Sequence, residues 1–135
     1  MNGTRWCAVL LRKGVRQPRE ISLHIPKGLL FFTDWAHEMA KIQRVGMDGT
    51  HAEAIVTENL HWPNGITVDA VAQRIYWSDA KHDLLESAKF DGSDRRQTKV
   101  LTVAGSKNNV GPLLHLVFKI ADYLSHEVSP SMLWL

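Results

Sequence analysis

Tyr76-Trp77-Ser78-Asp79 decides the fold of this chain, because Phe31-Phe32-Thr33-Asp34 states the same chemistry 45 residues earlier. The same offset relates Pro18, Ile21 and His37 to Pro63, Ile66 and His82. A period in this range, built from short β-type runs between turn signals, marks a propeller blade or a related stacked array. In such arrays one unit cannot bury its apolar faces alone, so neighbouring units must stack.

Around these runs, each period reads as four strands. Glu20 to His24 and Gly65 to Asp69 alternate apolar and polar residues, with Ile21 and Leu23, then Ile66 and Val68, on one face. That is the pattern of a half-buried strand. Leu29 to Thr33 and Arg74 to Ser78 are nearly continuous apolar runs, which suits burial on both faces. Lys41 to Met47 and Leu84 to Phe90 form the third strands, and Ala52 to Thr57 and Arg96 to Thr102 the fourth. Asn2-Gly3, Asp48-Gly49 and Asp91-Gly92 each supply the positive φ of a tight hairpin turn. Trp62-Pro63-Asn64-Gly65 reads as a rigid turn into the next inner strand. Residues 1–19 read as the end of a preceding repeat, 20–64 and 65–102 as two blade units, and 103–135 as a divergent tail. The run from Leu113 to Leu124 admits two readings, a degenerate third repeat or an unrelated amphipathic tail, because short apolar runs are not arbitrated by periodicity alone.

Phe31-Phe32-Thr33-Asp34-Trp35, Trp62-Pro63-Asn64-Gly65-Ile66-Thr67-Val68-Asp69, Arg74-Ile75-Tyr76-Trp77-Ser78-Asp79-Ala80-Lys81 and Asp91-Gly92-Ser93-Asp94-Arg95-Arg96 together resemble the YWTD repeats of the LDL receptor family, also called LDL-receptor class B repeats. The resemblance runs over about residues 2–102 and is closest to the LDL receptor-related proteins. It implies an all-β fold, a partial YWTD-type β-propeller with two complete four-stranded blades and incomplete repeats at each end. In the family the whole disc has six blades, usually followed by an EGF-like module, on the extracellular side of a membrane receptor. The implied partners are protein ligands, lipoproteins or secreted Wnt-type signals, in the service of endocytosis or signalling, together with the remaining blades and EGF-like module of the parent. With roughly two and a half repeats, the chain is expected to be a fragment of such a receptor. The alternative is a truncated gene product without independent function.

Composition narrows the remaining classes. Sixteen Lys and Arg against fourteen Asp and Glu give a net charge of +2, without the clustered basic face that nucleic-acid binding requires. The single cysteine, Cys7, has no partner for an internal disulfide and leaves the compartment open. The apolar run before Arg12 is shorter than a secretory core, and Pro112 to Leu124 is broken by His115, Lys119 and Asp122, so neither a signal peptide nor a membrane span is expected. No nucleophile, base and orienting residue stand in a catalytic arrangement, and the seven histidines lack metal-ligand spacing. The chain is therefore expected to be non-enzymatic, with no metal and no cofactor. A propeller hydrolase is the weaker alternative.

Two sets of residues follow. Phe31, Phe32, Thr33, Asp34, Tyr76, Trp77, Ser78 and Asp79, with Asp48, Gly49, Asp91 and Gly92, are expected to build the scaffold. In that set the two aspartates at the strand ends accept backbone hydrogen bonds that hold the next loop. Trp35, His37, Trp62, Asn64, Lys81 and His82 are the candidate ligand surface, since exposed aromatics beside charges make binding hot spots. Turn and packing roles alone also account for Trp62 and Asn64. His37 and His82 occupy the same place in both repeats, either as acid sensors or as ordinary solvated loop residues.

Overall fold

The computed structural model describes residues 9–82 and 84–99. The Asn2-Gly3 turn, Cys7 and the 103–135 tail, with both of its readings, lie outside the described residues. The first sheet contains β1 (Pro18–His24), β2 (Leu29–Asp34), β3 (Lys41–Gly46) and β4 (Glu53–Val56). A 3-10 turn over Ile25–Lys27 joins β1 to β2, and Gly28 closes it in the left-handed region at φ 60°. The second sheet contains β5 (Pro63–Asp69), β6 (Arg74–Asp79), β7 (Leu84–Lys89) and β8 (Arg96–Lys99). Each sheet is a four-stranded antiparallel meander in chain order.

Register partners in an antiparallel pair share a face, so the pairing tells which residues meet between the sheets. In the first sheet Thr33 pairs Ile42 and Phe31 pairs Arg44. In the second, Trp77 pairs Ile66 and Glu86, while Ile75 pairs Val68 and Ala88. These faces meet in one core of Phe31, Ile42, Val56, Ile66, Ile75 and Trp77, joined by Leu60 and Phe90. Phe31 and Trp77 are fully buried there, and burial of each contributes on the order of 2 kcal/mol or more. Tyr76 points to the other face and is half-buried. On the far face of the first sheet, Phe32 and Val45 are buried, and residues before β1 run against it. There Gln43 Nε2 and Lys41 Nζ both donate to the Gly14 carbonyl, at 2.8 and 2.6 Å.

A buried acid ties the second sheet to the loop between the sheets. Glu86, 3% exposed, accepts the Trp77 indole N–H at 3.2 Å and two bonds from the Arg95 guanidinium at 3.0 and 2.8 Å. Arg95 also donates to the carbonyls of Glu58 and Asn59. The charge is thus both paired and hydrogen-bonded, as a buried carboxylate must be.

The two sheets repeat their details. Thr33 Oγ1 accepts from Glu20 N at 3.2 Å, and Ser78 Oγ from Gly65 N at 3.3 Å. Both bonds fall where the register shifts, between Pro18 and Ile21 and between Pro63 and Ile66. That irregularity is the difference from the sequence reading of the inner strands. β1 and β5 begin two residues earlier than Glu20 and Gly65, and Pro63 and Asn64 belong to a bulged strand start rather than to a free turn. A proline lacks the N–H that a regular ladder needs, so it is tolerated at the bulged end.

The Asp-Gly turns also differ in one respect. Gly49 and Gly92 take positive φ, 86° and 83°, but their aspartates do not. The carboxylates instead cap the turn: Asp48 accepts from the Thr50 N–H and hydroxyl, and Asp91 from the Ser93 N–H and hydroxyl. These bonds hold both carboxyls below the usual carboxylate range.

Candidate functional site

Asp34 and Asp79 end β2 and β6, are essentially fully buried, and organise the loops at one end of the two sheets. Asp34 accepts from the backbone N–H of Arg16, Gln17 and Ala36 at 2.9, 2.8 and 3.3 Å. Asp79 accepts from those of His61, Trp62 and Lys81 at 2.7, 3.3 and 3.0 Å. Each carboxylate therefore pins the segment entering its own sheet and the loop leaving its own strand. The donors of the second set lie 45 residues after those of the first.

Between these anchored loops runs a half-open groove of about 510 Å³, lined among others by Trp35, His37, Glu38, His61, Trp62 and Lys81. One wall comes from the β2–β3 loop of the first sheet, the other from the segment before β5 and the β6–β7 loop of the second. Trp35 and Trp62 pack against each other across it, with ring centroids 6.0 Å apart at an angle of 47°. Each ring carries a cation. The Arg19 guanidinium lies 3.5 Å from the centroid of Trp35, and the Lys81 ammonium 5.9 Å from that of Trp62. Trp62 keeps 46% of its surface exposed.

Beside Trp62, His61 Nδ1 and His82 Nε2 are 3.1 Å apart, with the rings edge to face at 4.3 Å. Such a contact needs one ring nitrogen to donate and the other to accept. His37 is almost fully exposed, with the Glu38 carboxylate 3.8 Å away. Among the described residues no group of three or more His, Cys, Asp or Glu is placed to hold a metal.

Of the six candidate surface residues, the fold brings Trp35, His37, Trp62 and Lys81 to this groove and sets His82 beside it through His61. Asn64 is elsewhere: half-buried in β5, its carbonyl accepts from the Thr33 hydroxyl at 2.7 Å and joins the two sheets. Sequence reasoning missed Arg19, Glu38 and His61. His61 was within reach, since it stands one residue before Trp62 at the position that the 45-residue offset assigns to an Asp79 donor. Arg19 was not, because only the stacking of β1 beside the β2–β3 loop places it on Trp35.

Two four-stranded antiparallel sheets stacked face to face, with a groove across their loop ends, define a section of a β-propeller. A family model described as low-density lipoprotein receptor repeat class B matches residues 28–70 and 73–102, and the chain belongs to that family. It is 47% identical over 82 residues to the vitellogenin receptor Yl of Drosophila melanogaster, covering 61% of this chain and 4% of that protein. It is 36% identical over 95 residues to the vitellogenin receptor of Solenopsis invicta, covering 70% and 5%. It is 34% identical over 88 residues to the low-density lipoprotein receptor-related protein 5-like protein of Homo sapiens, covering 65% and 34%. The chain thus spans 4, 5 and 34% of the length of these relatives. Among solved structures, a nidogen/laminin complex matches with TM-score 0.57 and 28% identity, covering 67% of this chain and 33% of that one. A protein from Lactobacillus plantarum shares the fold at TM-score 0.50 and 23% identity, covering 69% and 27%. The all-β YWTD-type propeller expected from the repeat is the fold observed. No helix among the described residues is long and apolar enough to cross a membrane.

Proposed function

We propose that this chain is part of the extracellular propeller of an LDL receptor-related protein and contributes, without catalysis, to binding a protein ligand for endocytosis or signalling. One observation carries the reading: the Trp35–Trp62 groove spans the loop ends of both sheets, with exposed aromatic surface beside charge. The names of the vitellogenin receptors and of the low-density lipoprotein receptor-related relative favour a lipoprotein-type ligand, and the Wnt-type signal implied by the family resemblance is the second class. The His61–His82 contact is built from the same loops and stands beside the exposed Trp62. His37 is read as a solvated loop residue.

The test is surface-plasmon binding of the immobilised chain to a purified lipoprotein and to a Wnt-type protein, with Trp62→Ala as the comparison. Binding of either one, weakened at least tenfold by the substitution, is the expected result. Equal binding by the variant, or none by the unaltered chain, would remove the groove from the account.

One observation favours a second reading, in which the chain made alone has no independent function. Ile21, Leu23 and Ile25 stand 56, 46 and 72% exposed along β1 and the turn after it. An apolar stripe of that kind marks a surface that works only when covered. Concentration-dependent self-association in sedimentation, without a lipoprotein or signal bound, would support it.

A further inference from the structure

We propose that the groove receives an acidic segment of the protein ligand, with carboxylates seated on Arg19 and Lys81. The proposal rests on the interaction reading of the same groove and adds the chemistry of what it takes. Arg19 lies on the Trp35 ring at 3.5 Å, a stacking distance. A guanidinium held flat on a ring has its face covered, while its N–H edges stay free to grip a carboxylate bidentately. Neither Arg19 nor Lys81 has a carboxylate partner among the described residues. Both side chains are exposed, and the tryptophans beneath them are held by each other and by the Asp79 anchor of the Trp62 backbone. The cations are therefore positioned before a ligand arrives, which lowers the ordering cost of binding.

The balance of charge points the same way. Lys81 lines the groove and Arg19 lies on the Trp35 ring beside it, with three histidines close by, while the lining acid is Glu38, which already has His37 as a neighbour. The Asp34 and Asp79 carboxylates beneath the loops are buried and taken up by backbone N–H groups. A basic segment would meet like charge, and a purely apolar one would cover both cations without a partner. The exposed indole of Trp62 adds apolar contact, so the fitting occupant is a peptide in which carboxylates alternate with aliphatic side chains.

The experiment records the indole N–H signals of Trp35, Trp62 and Trp77 in the full chain while three probes are added. These are a peptide of alternating Glu and Leu, its Lys and Leu counterpart, and a heparin oligosaccharide. The expected outcome is that the Glu peptide moves the Trp35 and Trp62 signals and leaves buried Trp77 unchanged. Raising the salt concentration should weaken the effect. R19Q or K81Q should weaken binding about threefold each and together about tenfold. Equal or tighter binding of the Lys peptide would overturn the proposal, as would silence from both peptides. A response to heparin alone would overturn it in favour of a sulfated glycan. The comparison of probes on the unaltered chain does not depend on how the variants fold. If W62A abolishes lipoprotein or signal binding while the Glu peptide is inert, the interaction reading stands and the acidic preference falls. If the Glu peptide binds and neither protein does, the preference stands and those ligand classes fall.

Discussion

Asp79 is the residue on which the loops of the second sheet depend. Its carboxylate accepts three backbone N–H groups from two segments, and nothing else among the described residues serves those donors. Asp79→Ala leaves them unpaired beside a buried cavity, at a cost of about 3 kcal/mol, and Asp79→Asn costs less because one acceptor oxygen survives. Urea denaturation of the two variants measures this, and a loss below about 0.5 kcal/mol for the alanine would contradict the anchoring role. The same change releases Trp62, so ligand binding should fall along with stability. Thr33 and Ser78 make a finer comparison. Thr33 Oγ1 both accepts from Glu20 and donates to Asn64, whereas the Ser78 hydroxyl accepts from Gly65. Thr33→Val should therefore cost roughly 1 kcal/mol more than Ser78→Ala in the same melts.

At the scale of the element, the hairpin turns of the two sheets are built alike but are pressed unequally. A Cβ on Gly92 would overlap the carbonyl of Ile55 in β4, and one on Gly49 would sit 2.8 Å from the carbonyl of Leu10. Both glycines also need the left-handed conformation. Gly92→Ala should therefore destabilise by more than about 2 kcal/mol, combining φ strain with separation of the sheets, and by more than Gly49→Ala. Thermal unfolding of the pair checks the order. The turns also make stability depend on acid. Asp48 and Asp91 have lowered pKa values when folded, because their carboxylates accept bonds from Thr50 and Ser93. A depressed folded pKa contributes stability that is complete above the unfolded value of about 3.9 and is lost as pH falls through the folded one. Melting temperature should thus fall more steeply below pH 4 in the unaltered chain than in the double variant Asp48→Asn, Asp91→Asn. Parallel curves would remove these turns from the acid response.

At the scale of the whole molecule, the two sheets share one core and should unfold together. Phe31 and Trp77 reach it from opposite sides, and Phe90 packs on Phe31 with ring centroids 4.9 Å apart. Trp77→Ala leaves a large cavity and strands the buried Glu86 without its indole donor, so a loss of about 4 kcal/mol is expected. Hydrogen exchange should then show protection falling equally in β2 and β6. Protection lost in the second sheet alone would mean that the sheets are separate folding units.

The repeat, the strand order, the turn glycines and the anchoring aspartates were legible in the chain, because each follows from local chemistry recurring at one offset. Phe31-Phe32-Thr33-Asp34 and Tyr76-Trp77-Ser78-Asp79 pair with their neighbours as their alternation and turns require. The bulged entry of β1 and β5 was not legible, since a proline at a strand start looks the same whether it ends a turn or opens a strand. Nor was the site. Trp35 and Trp62 could be named as exposed aromatics, but their meeting, the cations on their rings and the His61–His82 contact depend on how one sheet stacks on the next. The blade was written in the chain, because alternation and turn chemistry within each period specify it. The groove arose from the stacking of the sheets, because its two walls come from different sheets and their contacts exist only once the shared core has set the spacing between them.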